Sequence, residues 1–429
     1  MTTNDGDRVL NLNIKIDGEP TLIPPAKETP GGLYFLSNFD AGSIMVKTIQ
    51  CFNYKAIDGE LDAAQAIKDG LAKVLVHYYP LAGRLTREKH FMINCTGEGA
   101  LFVEAEADCT LEDIHSYFTK PNSATLEKLV YDIGHGTQNP PLLVAQVTKF
   151  KCGGFVFGLC MDHIVFDGIG AMEFVNSWGE VTRGLPLSNP PYLDRTLLKA
   201  RDPPTVEFVH GLEPIVDMSN STLAVLEEEI LINKSFVLPP GKLEQLKKKA
   251  LEDGVLKRCT TFEALTAFMW RARTQSLKLH HDQQVRVLFT VDGRSRLEPP
   301  LPKGYFGNAA VFVSCQFSAR ELTDNPLSST VERIQEAIKS VTNDYIRSTL
   351  DFFEEKMEWK PLTYTIFLNA WSRLGFHNVD FGWGEPIYSG PLSVAKDMVL
   401  FLPHGKAINV CLSLPASTMK IFQELIDQV

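Results

Sequence analysis

The chain has 429 residues, 44% hydrophobic and 22% charged, which gives it a sizeable apolar interior and sets it apart from disordered, fibrous and coiled-coil sequences. Its 42 Lys+Arg against 52 Asp+Glu leave a net charge of -10, a field that repels phosphate backbones and argues against nucleic acid or an anionic membrane as a general partner. A polyanionic co-substrate therefore needs a local basic patch.

From the N-terminus, Met1 to Asn13 is polar with both charge signs and lacks the apolar centre of a secretory signal. No run approaches the ~20 apolar residues of a membrane span. The Asn-x-Ser/Thr matches at Asn94, Asn220 and Asn233 then read as chance. Eight cysteines (Cys51, Cys95, Cys109, Cys152, Cys160, Cys259, Cys315, Cys411) show no CxxC pair and no short framework, so reduced thiols are expected. Together these features predict a cytoplasmic protein, and a monomer is expected.

Asp62 and Gln65 have capping-box spacing before an apolar stripe of Ile67, Leu71, Val74 and Leu75, and Pro80 ends that helix. Phe155 to Met161 is a nearly unbroken apolar run of strand length, read as buried on both faces. A turn over Asp162 to Gly168 follows. Ile169, Met172, Val175 and Trp178 then repeat with helical spacing until Gly184 and Pro186. Pro190, Pro191, Pro203, Pro204 and Pro214 collect in a stretch of little periodicity, which reads as a crossover between domains. Beyond it, Leu243, Leu246, Ala250 and Leu251 mark a helix, and Thr260 with Glu263 caps another. Val285 to Val291, Ala310 to Cys315, Met398 to Leu402 and Ile408 to Leu414 read as strands. Val331, Ile334, Ile338, Val341 and Tyr345 predict one long helix. The expected organisation is α/β throughout: an N-terminal domain over 1–190, a crossover over 191–220 and a C-terminal domain over 221–429.

The chemistry concentrates on Asp162-His163-Ile164-Val165-Phe166-Asp167-Gly168. A histidine leaving the end of a buried strand is held rigidly and belongs to the residue type that titrates near neutrality, which suits proton abstraction. A hydrogen-bonded structural histidine is the plainer alternative. Asp167 could orient the imidazole, but it also sits where a helix N-cap belongs, which favours a structural role. If buried it needs a partner, for which Arg294 of Asp292-Gly293-Arg294 is the candidate. Asp380-Phe381-Gly382-Trp383-Gly384 is a second compact block, readable alone as a packed loop.

Taken together, His-x-x-x-Asp-Gly in mid-chain and Asp-Phe-Gly-Trp-Gly near the C-terminus resemble the plant BAHD acyltransferases. The resemblance spans the chain, through Tyr79-Pro80-Leu81-Ala82-Gly83-Arg84, Thr96-Gly97-Glu98-Gly99-Ala100 and Lys303-Gly304-Tyr305-Phe306-Gly307-Asn308. Gly32 to Asn38, Gly170 to Trp178 and Trp371 to Phe376 are most similar to the branch that transfers hydroxycinnamoyl or feruloyl groups to ω-hydroxy fatty acids and fatty alcohols. The resemblance implies two similar chloramphenicol-acetyltransferase-like domains with a solvent channel between them. It further implies acyl-CoA as co-substrate, no permanently bound cofactor and no metal. By the same similarity the histidine, His163, lies at mid-channel where it serves as general base, Trp371 lies beside the acyl carbonyl, and Asp380 and Trp383 are structural. Gly382 and Gly384 of that block are grouped with them, as are Asp167, Gly168 and Arg294 on the grounds given above. Asn369 replaces the small hydroxyl residue often found at its place in the acceptor pocket, and Ala309 replaces a common cysteine.

Lys257, Arg258, Thr260 and Thr261 at a helix start suit the CoA phosphates better than Lys247, Lys248 and Lys249, which read as a solvated helix face. His280-His281-Asp282 reads as a solvated loop, since adjacent residues point apart. Gly168-Ile169-Gly170 lacks the third glycine of a dinucleotide fingerprint, and neither a Gly-x-Ser-x-Gly elbow nor a His-Glu-x-x-His pair is present. The competing functions are the same transfer onto another acceptor, such as shikimate, quinate, a terpenoid alcohol or a polyamine, and a non-catalytic acyl-CoA-binding regulator. A base at His163 argues against the regulator.

Overall fold

The computed structural model of the protein describes residues 12–40, 42–53, 62–88, 90–118, 124–134, 136–218, 229–356 and 363–428. The first eleven residues of the polar N-terminal stretch lie outside the described residues. So does 219–228, with the end of the expected crossover, the start of the expected second domain and Asn220.

The chain divides into two compact units. One comprises the described residues of Met1–Lys199, Pro302–Asn308 and Leu374–Ser393, the other those of Ala200–Leu301, Ala309–Arg373 and Val394–Val429. The division at 199/200 falls inside the stretch 191–220. The segment with Asp380 to Gly384, which the sequence assigned to the C-terminal domain, instead packs in the first unit. The reason is pairing: β13 (Tyr388–Pro391) runs antiparallel to β3 (Met45–Phe52) and extends the first sheet.

That sheet has the order β1-β6-β7-β8-β3-β13. Its other strands are β1 (Ile14–Ile23), β6 (Ala100–Ala107), β7 (Leu143–Lys149) and β8 (Phe155–Asp162). All eight residues of β8 are buried, and both its neighbours run antiparallel to it. Gly158 lets this strand pass its covering layer, because a Cβ there would stand 2.0 Å from the Leu129 carbonyl oxygen. A small sheet of β2 (Leu33–Phe35), β5 (Phe91–Asn94) and β4 (Arg84–Arg87) completes the unit.

Two helices, Ala63–His77 and Gly168–Thr182, pack together in this unit. Gly70 makes their approach possible, since a Cβ would lie 2.0 Å from Thr182 Oγ1. The Trp178 indole N–H donates to the Ile67 carbonyl at 2.8 Å, so the largest side chain at the contact buries no orphan donor. Asp62 caps the first helix through the Ala64 N–H at 2.9 Å, but Gln65 turns to Asp69 instead of closing a capping box.

The second unit holds another six-stranded sheet, β11-β10-β12-β14-β15-β9. These strands are β9 (Leu231–Leu238), β10 (Gln284–Asp292), β11 (Ala310–Ser318), β12 (Thr365–Ala370), β14 (Met398–His404) and β15 (Ala407–Pro415). The single long helix expected through Val331 and Tyr345 is two helices, Leu327–Ser340 and Asn343–Glu355. Thr342 breaks it by adopting an extended backbone and accepting the Tyr345 N–H at 3.3 Å, a capping preference that overrides apolar spacing.

The Asn343–Glu355 helix anchors the middle of the stretch 191–220. Its Asp351 accepts from the Arg201 and Thr205 N–H groups, and His210 lies buried with Nε2 3.3 Å from Ser348 Oγ and Nδ1 3.3 Å from Thr349 Oγ1. Burial pushes the His210 imidazole down to about 4, below its ordinary 6.5. The folded state therefore keeps it neutral where the unfolded chain takes up a proton, so its contribution is complete above pH 6.5 and lost as pH falls toward 4. Urea unfolding at pH 7 and pH 5 should show a loss on the order of 2 kcal/mol that His210→Gln largely removes. Equal pH dependence in both proteins would contradict this.

Candidate active site

Strand β8 carries His163 out of the sheet as the first residue beyond its end, and there the side chain is exposed. The backbone is pinned on both sides. The His163 N–H donates to the Ile44 carbonyl at 2.9 Å, and the His163 carbonyl accepts from Asn308 Nδ2 at 2.9 Å. Buried Asp162 tightens the turn by accepting Ser43 Oγ at 2.6 Å and the Ile164 N–H at 3.0 Å. An imidazole on a rigid main chain and open to solvent can meet a hydroxyl donor without reorganising the fold.

Asp167 is the N-cap of Gly168–Thr182: its carboxylate accepts the Gly170 N–H at 3.0 Å and its carbonyl the Ala171 N–H at 2.8 Å. Packing against backbone demands Gly170, whereas Gly168 faces only the flexible end of a leucine side chain. A Cβ at Gly170 would fall 1.9 Å from the Phe306 carbonyl oxygen, and one at Gly168 would fall 2.7 Å from Leu374 Cδ1. Asp167→Ala should therefore cost about 0.5–2 kcal/mol of stability through the lost cap, seen as a lower melting midpoint. An unchanged melting curve with lost activity would instead mark Asp167 as an orienting group.

Asp380 binds its own loop, with Oδ1 accepting the Gly382 and Gly384 N–H groups at 2.8 and 2.7 Å and Oδ2 facing Arg183 at 3.4 Å. Gly382 and Gly384 hold φ of 114° and 81°, where side chains are strained. Phe381 packs edge-on against Phe52, Phe157 and Trp178, and Trp383 against Phe155. This block locks the return of the chain onto the first sheet.

The other sequence-selected residues lie in the second unit. Trp371 follows β12, donates its backbone N–H to Phe401 at 2.9 Å and packs beside Val394, Leu400, Leu402 and Cys411. Asn369 Oδ1 is 3.4 Å from Thr290 Oγ1. Arg294 donates to Asp292 at 3.0 Å. Thr260 forms a capping box with Glu263 at the start of the helix Thr261–Leu277, beside exposed Lys257 and Arg258. Lys247 pairs with Glu244, and His280 and Asp282 are exposed on a turn. Among the described residues no cluster of His, Cys, Asp and Glu could hold a metal ion.

Sequence reasoning missed the layer beneath His163. Asp40 and Arg195, both fully buried, form an ion pair at 2.9 Å, and Asp40 also accepts from Ser37 and Asn308. Arg195 further donates to the Tyr34 hydroxyl and the Val165 carbonyl and lies over the Phe306 ring. Burial works against the Arg195 charge, but Asp40, Tyr34 and Tyr305 outweigh it and keep the guanidinium protonated. Burial likewise pushes the Tyr34 phenol up to about 12. Asn38 and Asn308 end two of the segments that carry the family resemblance, yet nothing local shows that the two segments meet.

All eight cysteines are free. Burial pushes the Cys95, Cys160 and Cys259 thiols up to about 11 and those of Cys315 and Cys411 to about 12, so these five are neutral and hidden, unlike a nucleophilic cysteine.

This architecture is that of the chloramphenicol-acetyltransferase-like acyltransferases. Vinorine synthase aligns with a TM-score of 0.76 at 23% identity, covering 97% of this chain and 98% of its own. F. graminearum TRI101, solved with coenzyme A and T-2 mycotoxin, aligns at 0.75 and 16% identity over 91% and 96%. A sequence model of the Transferase family matches residues 15–428, and the chain belongs to that family, the BAHD acyltransferases, as a CoA-dependent O-acyltransferase. It is 50% identical to the omega-hydroxypalmitate O-feruloyl transferase of Arabidopsis thaliana over 99% of this chain and 96% of the relative. It is also 50% identical to the fatty alcohol:caffeoyl-CoA acyltransferase of the same plant, over 95% and 97%.

Proposed function

We propose that the enzyme transfers a hydroxycinnamoyl group, feruloyl foremost, from CoA to the hydroxyl of an ω-hydroxy fatty acid or long-chain primary alcohol, with His163 as general base. The observation that carries the substrates is the 50% identity, over nearly the whole chain, to two relatives named for these transfers, against 34% to a tobacco shikimate O-hydroxycinnamoyltransferase. Neutral His163 takes the acceptor proton as its oxygen attacks the thioester carbonyl, and a tetrahedral oxyanion forms. Collapse expels a thiolate whose conjugate acid has a pKa of about 8.5, so the same imidazole can return the proton and no acyl-enzyme is needed.

The proposal gives the Trp371 indole N–H to the oxyanion and Asn369 to the acceptor. Trp371→Phe, which keeps a ring and deletes the donor, should lower kcat by about 10²-fold, and an unchanged kcat would remove that role. Exposed Lys257 and Arg258, beside the Thr260–Thr261 helix start, are assigned to the CoA phosphates. Reversing both charges should raise KM for the acyl-CoA more than KM for the acceptor. Equal KM values before and after would reassign the phosphate site.

Among the described residues no helix is long and apolar enough to cross a membrane. A cytoplasmic location remains part of the proposal, supported by the eight free thiols and checked by fractionation, and light scattering checks the monomeric state proposed with it. For the acceptor, an apolar binding surface gains ~0.8 kcal/mol per buried methylene, so kcat/KM with feruloyl-CoA should climb along a series of primary alcohols until that surface is filled. Indifference to alkyl length would overturn the long-chain assignment and leave the acyltransferase class standing.

A further inference from the structure

We infer that Asn308 is a positioning residue for His163, a role that rests on His163 being the base. Asn308 comes from a different part of the chain, 145 residues away, and is 6% exposed. Its side-chain amide donates to Asp40 Oδ1 at 2.8 Å, to the His163 carbonyl at 2.9 Å and to the Ile164 carbonyl at 3.4 Å. Its backbone N–H donates to the same Asp40 oxygen at 3.1 Å.

These partners are all acceptors, which fixes which end of the amide faces them. Turned over, the amide would set its oxygen against a carboxylate and two carbonyls. Arg195 then extends the arrangement, holding the other Asp40 oxygen and donating to the Val165 carbonyl. The carbonyls of three successive residues, His163, Ile164 and Val165, are thereby held from below by one buried network.

A buried ion pair is a poor source of stability beside well-packed apolar residues, whereas a fully hydrogen-bonded polar network selects a single arrangement of the backbone it holds. Here that backbone is the turn that aims the imidazole. A shift of about 1 Å in a reacting group can cost ~10²-fold in rate, so loss of the Asn308 amide should appear in turnover rather than in binding.

The test is a double-mutant cycle, with feruloyl-CoA and 16-hydroxypalmitate as substrates. Asn308→Ala should lower kcat about 10- to 100-fold while the Kd for feruloyl-CoA stays within about threefold. Added to His163→Ala, the same substitution should change the residual rate by less than about twofold, because the group it positions is gone. Asn308→Ser, which keeps one donor, should recover part of kcat and serves for the cycle should the alanine variant melt too early. Parent-like kcat in the alanine and serine variants, or an equal loss in both backgrounds, would overturn the inference. Failure of the His163 reading shows separately, as parent-like turnover by His163→Ala alone.

Discussion

Replacing His163 with alanine is expected to leave a folded protein whose acyl transfer falls by ~10²–10⁴-fold, the span typical of removing a general base. Structure and rate separate cleanly at this residue. The side chain is exposed, while the hydrogen bonds that hold the turn run through the backbone N–H and carbonyl, which alanine retains. The melting midpoint should stay close to the parent value, and Kd for the acyl-CoA should change less than kcat. Near-parent turnover would remove the general-base mechanism while leaving the acyltransferase class standing.

Asp40→Ala should have the largest effect on stability, about 3–5 kcal/mol, because it leaves the fully buried Arg195 guanidinium without its counter-charge. The same change removes the acceptor of the Ser37 N–H and hydroxyl and of the Asn308 N–H and amide. The melting midpoint should drop by roughly 10 °C for a unit of this size. Deleting both charges, Asp40→Ala with Arg195→Met, should recover part of that loss, since a buried pair replaced by apolar groups costs less than one broken in half. Additive losses in the double variant would show that the two side chains stabilise the unit independently.

The parts of this protein that were legible in the sequence are those whose signal is local. An apolar run of strand length became β8, buried at every position, and the acid four residues after His163 became the cap of the helix that follows. Local signals also misled where two competed: Thr342 wanted to cap a helix in the middle of an apolar repeat, and the cap won. Proximity along the chain was the wrong guide for Asp380 to Gly384. A late strand can return to an early sheet, and the pairing of Gly390 with Ile49 does so. The network under His163 was out of reach for the same reason. Asp40 lies 155 residues from Arg195 and 268 from Asn308, and no periodicity or spacing rule links such positions. Asp40 and Arg195 would each have been expected at the surface, and only tertiary pairing explains their burial.

The most direct test of the account is a competition in one vessel, in which the purified enzyme receives feruloyl-CoA with equimolar 16-hydroxypalmitate and shikimate and the two esters are quantified by mass. Feruloyloxy-palmitate should dominate, and both products should vanish together in His163→Ala. A predominance of feruloyl shikimate, or ester formation that survives loss of His163, would contradict this.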